Sequence, residues 1–191
     1  MVDLDNVTNF NRTEAEAQEF LLCAIVVAGK KGKTQALKLE LFLNIHPEIK
    51  DNSCTPFEYV SKLIQYELLM DSLKSAKLGQ YERLYNCFTA LTRYKALDVT
   101  IDELEAIKGI GMKTSRFFLT HSRESSRYAI LDTHILAFMR EELGYKTPKS
   151  TPQSPSVYKE IEEAYLAYAD STGKSLADVD LEIWRSRRHG I

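Results

Sequence analysis

The sequence predicts an all-α protein, and three observations carry that expectation. Only eight glycines and five prolines interrupt the 191 residues. Thr-x-x-Glu capping boxes recur ahead of apolar stretches. Apolar residues then return at helical spacing, while strand-like alternation is sustained nowhere.

The elements follow in order. Thr13 with Glu16 opens a helix expected over 13–28, where Ala17, Phe20, Leu21 and Ala24 share one face. Taken alone, the run from Leu21 to Ala28 resembles a buried strand. Its lead-in, Glu14-Ala15-Glu16-Ala17-Gln18, favours a helix instead. A second helix is expected over 34–43. Thr55 with Glu58, and Pro56 in the first turn, open a third over 56–69. Tyr81, Leu84, Phe88 and Leu91 align over 79–94. Thr100 with Glu103 starts 101–107, and helices over 112–122 and 133–143 follow. Ser154 before Pro155 and Ser175 before Asp178 mark starts for 155–171 and 176–187. The segment Gly144–Ser156 holds three of the five prolines and reads as a linker or exposed loop.

Composition narrows the function classes. With 44% hydrophobic and 27% charged residues, the chain can bury a real core, which argues against wholesale disorder. Its longest apolar run spans about ten residues, against the roughly 18–20 that a membrane helix needs. No basic region followed by an apolar stretch opens the chain, so no secretory signal is expected. Cys23, Cys54 and Cys87 form no C-x-x-C, and three thiols are too few for a four-cysteine zinc or iron–sulfur site. They read as reduced, mostly buried thiols of a cytosolic protein.

Net charge is −2, but its distribution is uneven. Lys30, Lys31, Lys33 and Lys38 cluster without an acid between them. Lys108, Lys113, Arg116, Arg123 and Arg127 face only Glu124. Two basic islands in a slightly acidic chain suggest either a local anion partner or merely solvated helix faces. The first island contains Gly32-Lys33-Thr34, which invites a phosphate-binding loop. That loop needs its first glycine at position 27, where Val27 stands, so the segment is better read as a basic turn.

The informative stretch is 101–136. Ile101, Leu104 and Ile107 mark a helix face, and Lys108-Gly109-Ile110-Gly111 follows. Two glycines around one apolar residue make a tight hairpin whose backbone can approach a ligand closely. A helix opens at once with Met112-Lys113-Thr114. Its first-turn amides and positive dipole end suit a phosphate. Ile110 would plug the hairpin into the helices beneath.

Ile107-Lys108-Gly109-Ile110-Gly111-Met112-Lys113-Thr114 resembles the helix-hairpin-helix element of DNA-repair proteins. With Leu131-Asp132-Thr133-His134-Ile135-Leu136 downstream, the chain resembles the endonuclease III superfamily of DNA glycosylases. Ser175-Leu176-Ala177-Asp178-Val179-Asp180-Leu181-Glu182-Ile183-Trp184 is similar to the ending of the small archaeal-type 8-oxoguanine DNA glycosylases. The likeness runs from about residue 20 to the end and is sharpest over 101–140. Lys108 stands where a proline is common, and the chain after Trp184 is shorter and more basic than in that branch.

The resemblance implies a two-lobed, all-α helix-hairpin-helix glycosylase fold without an iron–sulfur cluster. The hairpin-bearing lobe would span 24–125, and residues 1–23 plus 126–191 would form the second. It implies a bifunctional glycosylase and AP lyase of base excision repair acting on 8-oxoguanine. Lys113 would be the nucleophile and Asp132 its partner. Lys108, Gly109, Ile110, Gly111, Met112 and Thr114 would hold DNA phosphates, with Lys30 and Lys31 at the turn where relatives insert a side chain into the vacated stack. Trp184 would meet the flipped base, as would Ile191, which stands where the archaeal branch has a lysine. No cofactor is required, although the carbonyls of Ile107 and Ile110 match a monovalent-cation site. The partner would be double-stranded DNA holding a damaged base, bound by a cytoplasmic, nucleoid-associated monomer. Two other readings stay open: the same chemistry on another oxidised or modified base, and a non-catalytic hairpin module that clamps DNA.

Overall fold

The structure, a computed structural model, describes residues 2–50 and 53–188. Among these it contains helices and turns and no strand. The α-helices are α1 (Glu14–Val27), α2 (Gly32–Phe42), α3 (Pro56–Gln65), α4 (Leu69–Ser75) and α5 (Tyr81–Leu91). They continue with α6 (Ile101–Ala106), α7 (Met112–Ser122), α8 (Thr133–Glu141), α9 (Pro155–Ser171) and α10 (Leu176–Arg188). A short 3₁₀ turn covers Pro47–Ile49.

Helix starts follow the local chemistry. Thr13, Thr55 and Thr100 each cap a helix through a complete capping box with Glu16, Glu58 and Glu103. Each box satisfies two otherwise unpaired groups at a helix start. Ser175 Oγ accepts the Asp178 amide at 3.1 Å and donates to its carboxylate at 2.7 Å. Ser154 is the N-cap of α9, as its place before Pro155 predicts, although it makes no capping bond and its hydroxyl pairs with that of Ser156.

The helix expected over 56–69 ends at Gln65, and a separate helix, not foreseen from the sequence, begins at Leu69. Glu67 adopts a left-handed backbone with φ 58°. The Leu68 amide reaches back to the Leu63 carbonyl at 2.7 Å, closing α3 in a Schellman-like turn. Leu68, Leu69 and Leu73 continue the apolar pattern across this break, so periodicity alone hides it. Likewise α5 starts at Tyr81 rather than 79, because Gly79 and Gln80 are both left-handed.

Buried side chains form two clusters. The first gathers α1 to α7 around α1, whose residues from Phe20 to Val26 are all buried. The second joins α8, α9 and α10 through Leu136, Met139, Tyr158, Tyr165, Val179 and Ile183. The division expected at residue 23 is not where the clusters part. Val7, Ala17 and Phe20–Cys23 pack in the first cluster, because α1 is one unbroken helix. Within α10, Leu181 packs in the first cluster while Val179 and Ile183 pack in the second.

Much of the basic sequence is spent on this scaffold. Arg123 donates to the carbonyls of Ala96 and Val99. Arg127 pairs with Asp170. Arg116 is buried between Glu105 and Glu162. Of the second basic island, this leaves Lys108 and Lys113 to meet an outside anion. Cys23 and Cys87 are buried, and burial pushes the Cys23 thiol up to about 12. Such a thiol stays protonated and inert.

Candidate active site

The hairpin sits between α6 and α7. Ile107 closes α6, and the Ile110 amide donates to the Ile107 carbonyl at 2.9 Å. Ile107 and Ile110 are buried in the first cluster. Gly109 has φ 105°, and its carbonyl accepts Arg83 Nε at 2.8 Å. A Cβ there would lie 2.8 Å from Arg83 Cγ and 2.9 Å from Cys87 Sγ, so only glycine fits without displacement. Gly111 is the N-cap of α7 and offers no side-chain cap. The opening amides of α7 therefore take no acceptor from a capping side chain, which suits a phosphate. The Ile107 and Ile110 carbonyls are hard oxygen donors of the kind that the expected monovalent cation would take.

Lys113 lies in the first turn of α7 and points into a cavity of about 900 Å³. Asp132 lines the same cavity from the start of α8. Its Oδ1 accepts the amides of His134 at 2.8 Å and Ile135 at 2.9 Å. The segment leading to it is locked. Tyr158 accepts the Leu131 amide and donates to the Ala129 carbonyl, while Glu162 accepts the Ala129 amide. Burial pushes the Asp132 carboxyl above the usual carboxylate range. The Ile135 amide counters this, Asp180 adds to it, and His134 and Lys113 oppose it. Lys113 and Asp132 thus reach one cavity from the starts of two helices.

The remaining wall brings together residues that the sequence separates. Trp184 and His134 meet edge to face, with ring centroids 6.5 Å apart and an interplanar angle of 78°. Lys30 and Lys31 line the rim. Lys31 is exposed, and Lys30, the candidate for insertion, is half-buried. Its ammonium donates to the Leu78 carbonyl at 2.6 Å, and burial with nearby Arg83 and Lys38 lowers it below the usual lysine range. Thr114 is buried at the cavity wall. Lys108, Gly109, Ile110, Gly111 and Met112 lie outside the cavity lining, along the hairpin that leads to it. Ile191 lies outside the described residues.

Sequence reasoning left three contributors unassigned. Asp180 lines the cavity and accepts His121 Nε2 at 3.3 Å, and His121 Nδ1 meets Thr8 Oγ1 at 2.8 Å. Its signal was the Ser175–Trp184 motif itself. Phe117 also lines the cavity and packs edge-on against His121. The segment read as a loose linker supplies Ser150, Thr151 and Gln153, with Thr151 donating to the Leu131 carbonyl. No local pattern announces a loop that walls a site.

The family model described as 8-oxoguanine DNA glycosylase matches residues 69–174, more than half of the chain and the whole span from hairpin to Asp132. The chain belongs to the 8-oxoguanine DNA glycosylase family. The fold of this glycosylase is similar to that of the 8-oxoguanine DNA glycosylase of Methanocaldococcus jannaschii. The two share 24% identity over 95% of this chain and 83% of that one, with a TM-score of 0.64. The glycosylase is an enzyme of base excision repair, a DNA N-glycosylase with AP lyase activity. Among the described residues no helix is long and apolar enough to cross a membrane.

Proposed function

We propose that this glycosylase removes 8-oxoguanine through Lys113 and Asp132 and then nicks the strand. The observation that carries the assignment is that these two side chains, 19 positions apart and at the starts of different helices, line one cavity. That cavity has room for a nucleoside flipped out of the duplex, at a cost of about a few kcal/mol.

In this reading the Lys113 amine attacks C1′ of the flipped nucleotide. The C1′–N9 bond breaks, and the base leaves with the electron pair and gains a proton. Asp132 accepts a proton from the incoming amine and offsets positive charge on the sugar. Ring opening gives a Schiff base. Loss of a C2′ proton then breaks the C3′–O bond and releases the 3′ phosphate. The amides and flanks of Lys108, Gly109, Gly111 and Met112 grip phosphates without reading sequence. A monovalent cation at the Ile107 and Ile110 carbonyls would supply positive charge to the same phosphate. Trp184 offers a face on which the flipped base stacks. The protein acts as a cytoplasmic monomer on double-stranded DNA.

Borohydride trapping tests the assignment. Wild-type protein should form a covalent adduct with a duplex containing 8-oxoguanine, and Lys113→Gln should lose it while keeping DNA binding. If wild type gives no adduct on lesion or abasic-site DNA, the lysine mechanism is wrong.

A further inference from the structure

Strand nicking takes a proton from C2′, and Asp132 is poorly placed to receive it. In the proposed chemistry Asp132 has already taken the proton of the Lys113 amine, and its Oδ1 accepts two helix amides. C2′ is bonded to C1′, so once Lys113 holds C1′ the second base has to come from the same cavity. Among the described residues that line it, one other carboxylate is present, Asp180.

Asp180 is built into the wall. Its side chain is 10% exposed, and it stands on α10 one turn before Trp184, which lines the cavity too. α10 packs against α7, which carries Lys113, and against α8, which Asp132 caps. His121 Nε2 lies 3.3 Å from Asp180 Oδ2, and His121 Nδ1 lies 2.8 Å from Thr8 Oγ1. The His121 ring is fully buried, so bulk water competes for neither nitrogen. An ionised carboxylate only accepts, which puts the ring proton on Nε2 and leaves Nδ1 to accept the Thr8 hydroxyl. The far end is fixed as well, because the Asn9 amide and Arg12 Nη1 both donate to the His121 carbonyl. Among the described residues Asp180 Oδ1 makes no hydrogen bond, and it is not sealed from solvent. One oxygen of this carboxylate is thus aimed, and the other is open.

We propose that Asp180 is the catalytic base of strand nicking, with His121 and Thr8 as the positioning residues that aim it. Its open oxygen takes the C2′ proton of the Lys113 Schiff base. The C–H electron pair becomes the C2′–C3′ double bond, the C3′–O bond breaks, and its electrons leave on the 3′ phosphate. That phosphate is a stable anion and needs no proton. The acid formed on Asp180 returns its proton to solvent as product departs. Asp132 then serves excision and Asp180 serves nicking. This inference rests on the Schiff-base role proposed for Lys113.

Asp180→Asn separates the two steps, since the amide keeps the shape and an oxygen for His121 but takes up no proton. On a duplex with a single 8-oxoguanine, single-turnover excision, read after hot alkali has cleaved every abasic site, should stay within about threefold of wild type. Nicking without alkali should fall by about a hundredfold or more, the usual loss for a missing general base. Borohydride trapping on abasic-site DNA should be undiminished, because the Schiff base still forms and is no longer consumed. His121→Phe should slow nicking by about tenfold without lowering trapping, and His121→Gln, which retains a donor, should recover part of the rate. Neither should slow Asp180→Asn further, because both act through one carboxylate. Wild-type nicking by Asp180→Asn, or equal losses of excision, trapping and nicking, would overturn the proposal. Absence of a trapped adduct from wild type would instead remove the Lys113 reading beneath it.

Discussion

Arg116 Nε donates to Glu162 Oε1 at 2.8 Å, and this buried bond ties the helix that carries Lys113 to α9. Glu162 also accepts the Ala129 amide, so one carboxylate steadies both the Lys113 helix and the approach to Asp132. Arg116 Nη1 pairs in addition with Glu105 on α6, which itself accepts Ser115 Oγ. Glu162→Ala should therefore cost on the order of 3 kcal/mol, since it strands a buried guanidinium and a buried amide. Chemical denaturation read by circular dichroism measures this. A loss below about 0.5 kcal/mol would mean that Glu105 alone suffices for Arg116.

Gly109→Ala should injure the hairpin without touching the chemistry. The new Cβ meets Arg83 and Cys87 under 3.0 Å, at a backbone angle that side chains rarely adopt. Arg83 is not free to move away, because it also holds the Gln80 side chain and the Ile25 carbonyl. We expect about 1–3 kcal/mol of lost stability and a clear rise in Kd for duplex DNA. Fluorescence anisotropy on undamaged and lesion duplexes should show the same proportional loss, as expected for a phosphate grip.

Asp132 gives the enzyme a pH signature. Its carboxyl titrates above the usual range, with burial the main cause. In the proposed mechanism excision needs the ionised form, so the rate should climb with pH through that raised value and then level off. The acid limb should lie above pH 4, the ordinary aspartate region. Stability runs the other way. The folded state binds this proton more tightly than the unfolded chain, so the contribution is greatest below the unfolded value and is lost as pH rises through the folded one. Asp132→Asn should abolish both trends while leaving DNA affinity nearly intact. Single-turnover rates and melting temperatures across pH 4–8 (roughly the carboxylate-to-neutral span) check both signs.

Trp184→Ala should separate recognition from strand cleavage. The ring stands edge-on to His134 at the cavity wall. Base stacking on an aromatic contributes about 1–3 kcal/mol, so excision of 8-oxoguanine should fall by about tenfold. Nicking at an abasic site, where no base remains to stack, should change little. Equal losses in both assays would assign Trp184 to packing alone.

Most helices were legible because their starts are written locally. Thr13, Thr55 and Thr100 carry their caps within three residues, and the lysine–aspartate pair stands in contiguous motifs. The break at Glu67 was not legible, since a left-handed glutamate leaves the apolar period of Leu63, Leu68, Leu69 and Leu73 intact. The roles of Arg116, Arg123 and Arg127 were hidden for a different reason. Charge counts cannot distinguish a cation facing solvent from one whose partner, such as Asp170 or Glu162, lies more than 40 positions away. Asp180 and Thr151 reach the cavity only through tertiary packing, which no short window contains.

The placement of α10 bears on how the protein tolerates shortening. With Leu181 in one apolar cluster and Val179 and Ile183 in the other, this final helix is a seam rather than an appendage. Cutting the chain before it would bare greasy surface on both halves together. Such a fragment would aggregate or be digested, and it would not survive as a smaller DNA-gripping module.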